Sequence, residues 1–235
     1  MSYTDIADRT TVDHPRAGSG NPRGWTFAGI AAGIAGITGI AASMSIDAVY
    51  DTDLGGDPQR IVDRLSELTA NMLVFHVATM VAVVTLVVFA AGLRRRLAAQ
   101  APSGSALPDV AAGGLLLTSV AGLMGAGLNT EFIFGLQDPA ASGVLPEAAV
   151  FYNHWIGTVP WLWVGAGIAG VAVAVAALRH AAAPRWIGFV GAVLGGLTLL
   201  LGISPLQYMA GMTGPLWLLV TAIGFAAADR TRTGR

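Results

Sequence analysis

The sequence predicts an all-α, polytopic transmembrane helix bundle of about six spans with both termini cytoplasmic. Three observations predict it. Of 235 residues, 54% are hydrophobic and 11% charged, where a soluble domain carries about 25% charged residues. Runs of roughly 20 apolar residues recur, the length that crosses a bilayer core. Eleven of the thirteen arginines fall outside alternate runs on one side, the positive-inside asymmetry of a multi-pass plasma-membrane protein.

Residues 1–24 are polar and read as a cytoplasmic arm without fixed structure. They hold no apolar core of the kind a signal peptide needs. The membrane domain is read over 25–229, followed by a cytoplasmic tail at 230–235.

The spans are placed at about 25–45, 70–93, 109–131, 157–178, 186–206 and 214–228. Arg9, Arg16 and Arg23 precede the first, which carries Gly29, Gly33, Gly36 and Gly39. Arg94, Arg95 and Arg96 end the second, and the third starts at Asp109. Arg179 and Arg185 bracket the loop between the fourth and fifth. The fifth carries Gly191 and Gly195 and ends at Pro205; Pro215 can open the sixth, a short span before Arg230, Arg232 and Arg235. Glycines four apart let helix backbones approach in lipid, and intramolecular packing accounts for them without a dimer. The oligomeric state is left open.

The opposite loops carry Asp47, Asp51, Asp53, Asp57, Asp63, Glu67, Glu131, Asp138 and Glu147 against only Arg60 and Arg64. Among them, "PQRIVDRLSELTAN" sets Ile61, Leu65 and Leu68 on one helical face. That predicts a short amphipathic helix at the outer interface, either a connector or a lid over a pocket.

Several chemistries are excluded. There is no cysteine, hence no disulfide, thiolate metal site or cysteine nucleophile. There is no lysine, hence no Schiff base and no P-loop. HExxH, Gly-x-Ser-x-Gly and nucleic-acid signatures are missing. Neither a resident cofactor nor a nucleic-acid partner is expected.

What remains is a set of polar groups at span ends, where ionisable residues are costly and tend to be functional. At 1.5 Å per residue from the arginine side, His76 lies at about 27 Å, Glu131 about 33 Å, His154 about 37 Å and Tyr208 about 34 Å. With a core about 30 Å thick, all four reach the outer boundary. Asn71, Asn129, Asn153 and Gln207 accompany them. If the third span runs on as helix to Leu136, Glu131 in "GLNTEFIFGL" sits in an apolar site, where desolvation would keep it partly protonated near neutrality, as a general acid requires. Otherwise it caps the span and faces water. His76 and His154 have three open readings: interfacial hydrogen bonding, a metal set with Glu131, or axial ligation of a haem.

The stretch "FYNHWIGTVPWLW", 151–163, holds Asn153, His154, Trp155, Trp161 and Trp163 around Pro160. Tryptophans favour membrane interfaces. The hydrogen-bonding groups go beyond what such a belt requires and suggest that it also walls a site. "SPLQYMAGMTGPLW", 204–217, faces it with Gln207, Tyr208 and two adaptable methionines.

Six spans rich in small residues, the arginine triplet after the second and "NHW" before the fourth resemble the small multi-pass membrane proteins of actinobacterial type that carry no assigned activity. A more distant similarity is to the small integral-membrane terpene cyclases, helical bundles in which carboxylic acids start cyclisation of an isoprenoid. That resemblance implies an acid role for Glu131, with Asp47 as the other candidate. In such an enzyme Glu131 protonates an alkene or epoxide, with His76, His154 and Gln207 tuning the acid or binding a headgroup. Trp155, Trp161, Trp163 and Tyr208 steady a carbocation by their ring faces, with Asn153 as a further binding group. The alternatives are a non-catalytic carrier of a lipid or small molecule, a membrane partner of a signalling protein, and a metal or haem redox protein.

Overall fold

A computed structural model describes residues 24–233, with side chains through Ala228. The arm and its arginines, and the side chains of Arg230, Arg232 and Arg235, lie outside the described residues.

Every regular element among the described residues is helical. In chain order these are α1 Gly24–Met44, α2 Pro58–Glu67, α3 Thr69–Ala98, α4 Leu107–Gly125, α5 Asn129–Gly135, α6 Pro139–Ser142, α7 Pro146–Ile156, α8 Val164–His180, α9 Arg185–Val190, α10 Gly196–Ile203 and α11 Ala210–Thr233. Six segments are long and apolar enough to cross a membrane: 24–44, 69–98, 107–135, 146–180, 185–203 and 207–228. The chain is therefore a six-span α-helical bundle. An even number of crossings brings both ends of the described chain to one face, which Arg94, Arg95, Arg96, Arg179 and Arg185 also mark. It is called the arginine face here, and the other the acidic face. α11 continues as helix to Thr233, beyond the boundary expected at 229.

The spans close a ring: α1 packs on α3, α3 on α4, α4 on α8, α8 on α9 and α10, and α11 on both α8 and α1. Small residues make these contacts possible. A Cβ on Gly29 would meet Phe89 at 2.3 Å, and one on Gly33 would meet Leu219 at 2.7 Å. Backbones touch directly where Gly114 meets Gly165, and where Gly170 meets Gly191 and Gly195. Gly191–Gly195 forms a π-helical turn between α9 and α10. The glycines singled out in the first and fifth spans thus serve packing inside one chain.

Toward the arginine face the core is aromatic. Trp25 stacks on Phe89 at 5.4 Å and tilts against Phe225 at the same distance. Large apolar side chains such as Val77, Val84, Leu117 and Leu200 are exposed around the ring, as lipid requires.

Two spans are interrupted. α4 stops at Gly125 and the chain restarts as α5 at Asn129. α7 stops at Ile156, and a 3-10 turn at Val159–Trp161 precedes α8. The two breaks abut: a Cβ on Gly125 would meet the Pro160 backbone at 2.8 Å. Beyond them α5 and α7 join α2 in a separate cap on the acidic face. Its core holds Ile61, Leu65, Phe75, Phe132, Leu136, Tyr152 and Ile156. Ile61, Leu65 and Leu68 are buried, as the periodicity predicts, together with Val62, and α2 packs on α7.

Candidate functional site

Between this cap and the ends of the first and last spans lies a cavity of about 590 Å³. Four segments wall it. Ser43 and Met44 end α1. Ile46, Asp47 and Tyr50 follow on the connection, Gly157, Thr158 and Trp161 come from the break between α7 and α8, and Tyr208, Met209 and Met212 open the last span. No residue of α2 takes part, so this helix is a packed connector and not a lid over this space.

Proline explains the wall at Trp161. Pro160 lacks an N–H and clashes with a continuing α-helix, so the chain turns in 3-10 form there. That carries Trp161 inward, where it is 7% exposed. Its indole N–H donates to Ser43 Oγ at 3.0 Å, and Ser43 donates in turn to the Ile156 carbonyl at 2.6 Å.

Asn153 fixes the opposite wall. It is fully buried in the cap. Its Nδ2 donates to the Ile46 carbonyl at 2.5 Å, and its Oδ1 accepts from the Val49 amide at 3.0 Å. This two-handed bond sets the segment that carries Asp47 and Tyr50. A 3-10 turn at Ala48–Tyr50 completes it, with the Asp47 carbonyl accepting from the Tyr50 amide.

Tyr50 sits edge-on to His154, ring centroids 5.7 Å apart. Its hydroxyl rests against Gly157, where a Cβ would meet it at 2.8 Å. Burial pushes the Tyr50 phenol above its ordinary value, and the neighbouring Tyr208 phenol adds to the effect. Tyr50 therefore presents a neutral hydroxyl at ordinary pH. Asp47 is exposed, makes no capping bond through its side chain and joins neither of the ion pairs among the described residues. Asp51 and Asp57, by contrast, accept backbone N–H groups at turn and helix starts.

The residues singled out from sequence are distributed unevenly around this cavity. Trp161 and Tyr208 line it. His154 backs it through Tyr50, and Asn153 supports it. Trp155 donates to the Met124 carbonyl at 3.2 Å and packs on Phe151, pinning the end of α4. Trp163 is buried against Gly36 and Gly214 and donates to the Pro160 carbonyl. The void beside it measures about 20 Å³, room for one water and no more. Gln207 is exposed beside Tyr208 without lining the cavity.

Glu131 lies on α5, exposed, and does not line the cavity. The continuous third helix that would have held it in an apolar site is broken at 126–128. His76 is half-buried on α3, with an Nδ1 that makes no hydrogen bond. Among the described residues no group of three or more His, Asp or Glu is placed to hold a metal ion, so His76, Glu131 and His154 do not converge.

Sequence reading passed over Ser43 and Tyr50 and ranked Asp47 second to Glu131. The signal was present in "SIDAVYD", an aromatic and a carboxylate immediately after a span. The cavity offers hydroxyl groups and one carboxylate together with aromatic and thioether contact. Among the described residues its lining includes no histidine, no arginine and no second carboxylate, and so no acid–base pair of the kind most proton-transfer sites use. Compared with protein-family models, curated proteins and solved structures, the chain matches none of them.

Proposed function

We propose that this protein binds an amphipathic small molecule or lipid on the outer side of the membrane, without transforming it. One observation carries the reading: an outward cavity of about 590 Å³ with an apolar, aromatic wall and a polar rim. That volume falls within the range of about 300–1,000 Å³ typical of ligand pockets. Trp161, Met209 and Met212 supply the wall, and Asp47, Tyr50, Thr158 and Tyr208 the rim. The positive-inside rule supports the outward assignment, since the cavity opens opposite the arginines.

An acid-catalysed isoprenoid reaction would need its proton from Asp47, the one carboxylate in the lining. Asp47 is exposed and has no histidine or second carboxylate beside it in the lining to hold or return a proton. Binding is therefore the preferred reading.

Native mass spectrometry of the protein released from a mild maltoside detergent tests it. The expected result is a retained amphiphile, lost when Met212→Trp fills the cavity. Retention unchanged by Met212→Trp would refute the cavity as the binding place.

A further inference from the structure

We propose that the ligand this cavity recognises is an organic cation, an alkylated or quaternary ammonium group carrying an apolar tail. The inference rests on the binding reading above and names its ligand class.

Charge points first to a cation. Asp47 is the one carboxylate in the lining, and it has no side-chain partner among the described residues. Of the other aspartates on this connection, Asp51 and Asp57 have theirs committed to backbone amides, and Asp53 does not line the cavity. No arginine lines the cavity to neutralise Asp47. The aromatic side chains complete the recognition. Tyr50, Tyr208 and Trp161 come from three different segments and share one space. Ring faces attract a cation within about 6 Å, and more strongly when it is desolvated. A quaternary ammonium cannot donate hydrogen bonds, so rings plus one carboxylate suit it better than a hydrogen-bonding cage.

The tail follows from the methionines. Met44 is 56% exposed and Met212 47% exposed at the ends of α1 and α11, while both also line the cavity. The space thus opens sideways past flexible thioethers, which accommodate alkyl chains. A lipid headgroup and a soluble alkylammonium share this chemistry.

The test is tryptophan fluorescence titration of the whole chain in maltoside micelles. The probes are hexyltrimethylammonium, choline, dihexanoyl phosphatidylcholine, and hexanol and hexyl sulfate as neutral and anionic counterparts. Saturable binding of hexyltrimethylammonium is expected, at least tenfold tighter than either counterpart. Asp47→Asn should weaken it about tenfold and Asp47→Glu much less. Tyr208→Leu should weaken it several-fold, and Tyr208→Phe, which keeps the ring, should not. Tighter binding of the phospholipid than of choline would identify a lipid headgroup as the source; the reverse would identify a soluble cation. Equal binding of hexanol, or binding unchanged in Asp47→Asn, would overturn the cation assignment while leaving an amphiphile cavity. No binding of any probe to the folded wild-type chain would overturn both.

Discussion

Trp161 and Ser43, 118 residues apart in sequence, are joined by one buried hydrogen bond from the indole N–H to the serine Oγ at 3.0 Å. The bond orients the aromatic wall of the cavity and links the 3-10 turn to the end of α1. Ser43→Ala removes it and also strips the Ile156 carbonyl of its side-chain donor. Leaving a buried donor unpaired costs about 1–3 kcal/mol. A thermal melt in detergent should therefore drop, and ligand retention with it. Adding Trp161→Phe, which has no N–H to satisfy, should recover part of the stability and none of the retention.

Asn153 gives the second prediction. Asn153→Leu keeps the branched shape, though it is bulkier, and leaves the Ile46 carbonyl and the Val49 amide without their partner. The expected loss is about 2–4 kcal/mol for two buried groups. Hydrogen exchange should accelerate at residues 46–50 before the spans respond. Uniform acceleration throughout the bundle would contradict a local clamp.

Neighbouring glycines on α4 provide a matched pair. A Cβ on Gly114 would meet the Gly165 carbonyl at 2.4 Å, whereas one on Gly113 meets nothing within 4 Å. Gly114→Ala should destabilise by about 2 kcal/mol or more, because backbone cannot rotate aside. Gly113→Ala should be neutral or stabilise by up to about 1 kcal/mol through helix propensity. Unfolding in mixed micelles measures both.

Glu131→Gln should leave ligand retention as in the wild-type chain, since Glu131 is exposed and outside the cavity lining. A lost ligand in this variant, with the fold intact, would return Glu131 to the site.

Tyr50 sets a pH dependence. Its phenol is raised above the ordinary 10.0 by burial and by Tyr208. A group whose folded pKa is raised stabilises fully below its unfolded value and loses that contribution as pH rises through the folded one. Stability should therefore fall above about pH 10, and Tyr50→Phe should fall less steeply over the same range. Parallel melting curves for the two would argue against this linkage.

Hydropathy made the six spans legible, since each is a long apolar run, and α2 was legible from Ile61 and Leu65. The break in the third span was not. "GLNTEFIFGL" is continuous with helix by local pattern, and its interruption lies at Gly125, where Pro160 of another segment presses on the backbone. That is a tertiary contact with no local signature. The same limit governed the tryptophans. Composition placed all three near an interface, but only packing decided that Trp161 faces a cavity, Trp163 the core and Trp155 the end of α4. Asp47 and Tyr50 looked like loop residues because Asn153, which positions them, lies more than 100 residues away.

The backbone contacts along α8 also have a mechanical consequence. Where Gly165 meets Gly114 and Gly170 meets Gly195, no rotamers are available to absorb a displacement, so that seam behaves as an incompressible strut. The cavity and its hydrogen-bonded ties lie on the acidic side of the bundle. Under hydrostatic pressure the molecule should yield there first, its acidic end contracting while the spacing of α4, α8 and α10 holds.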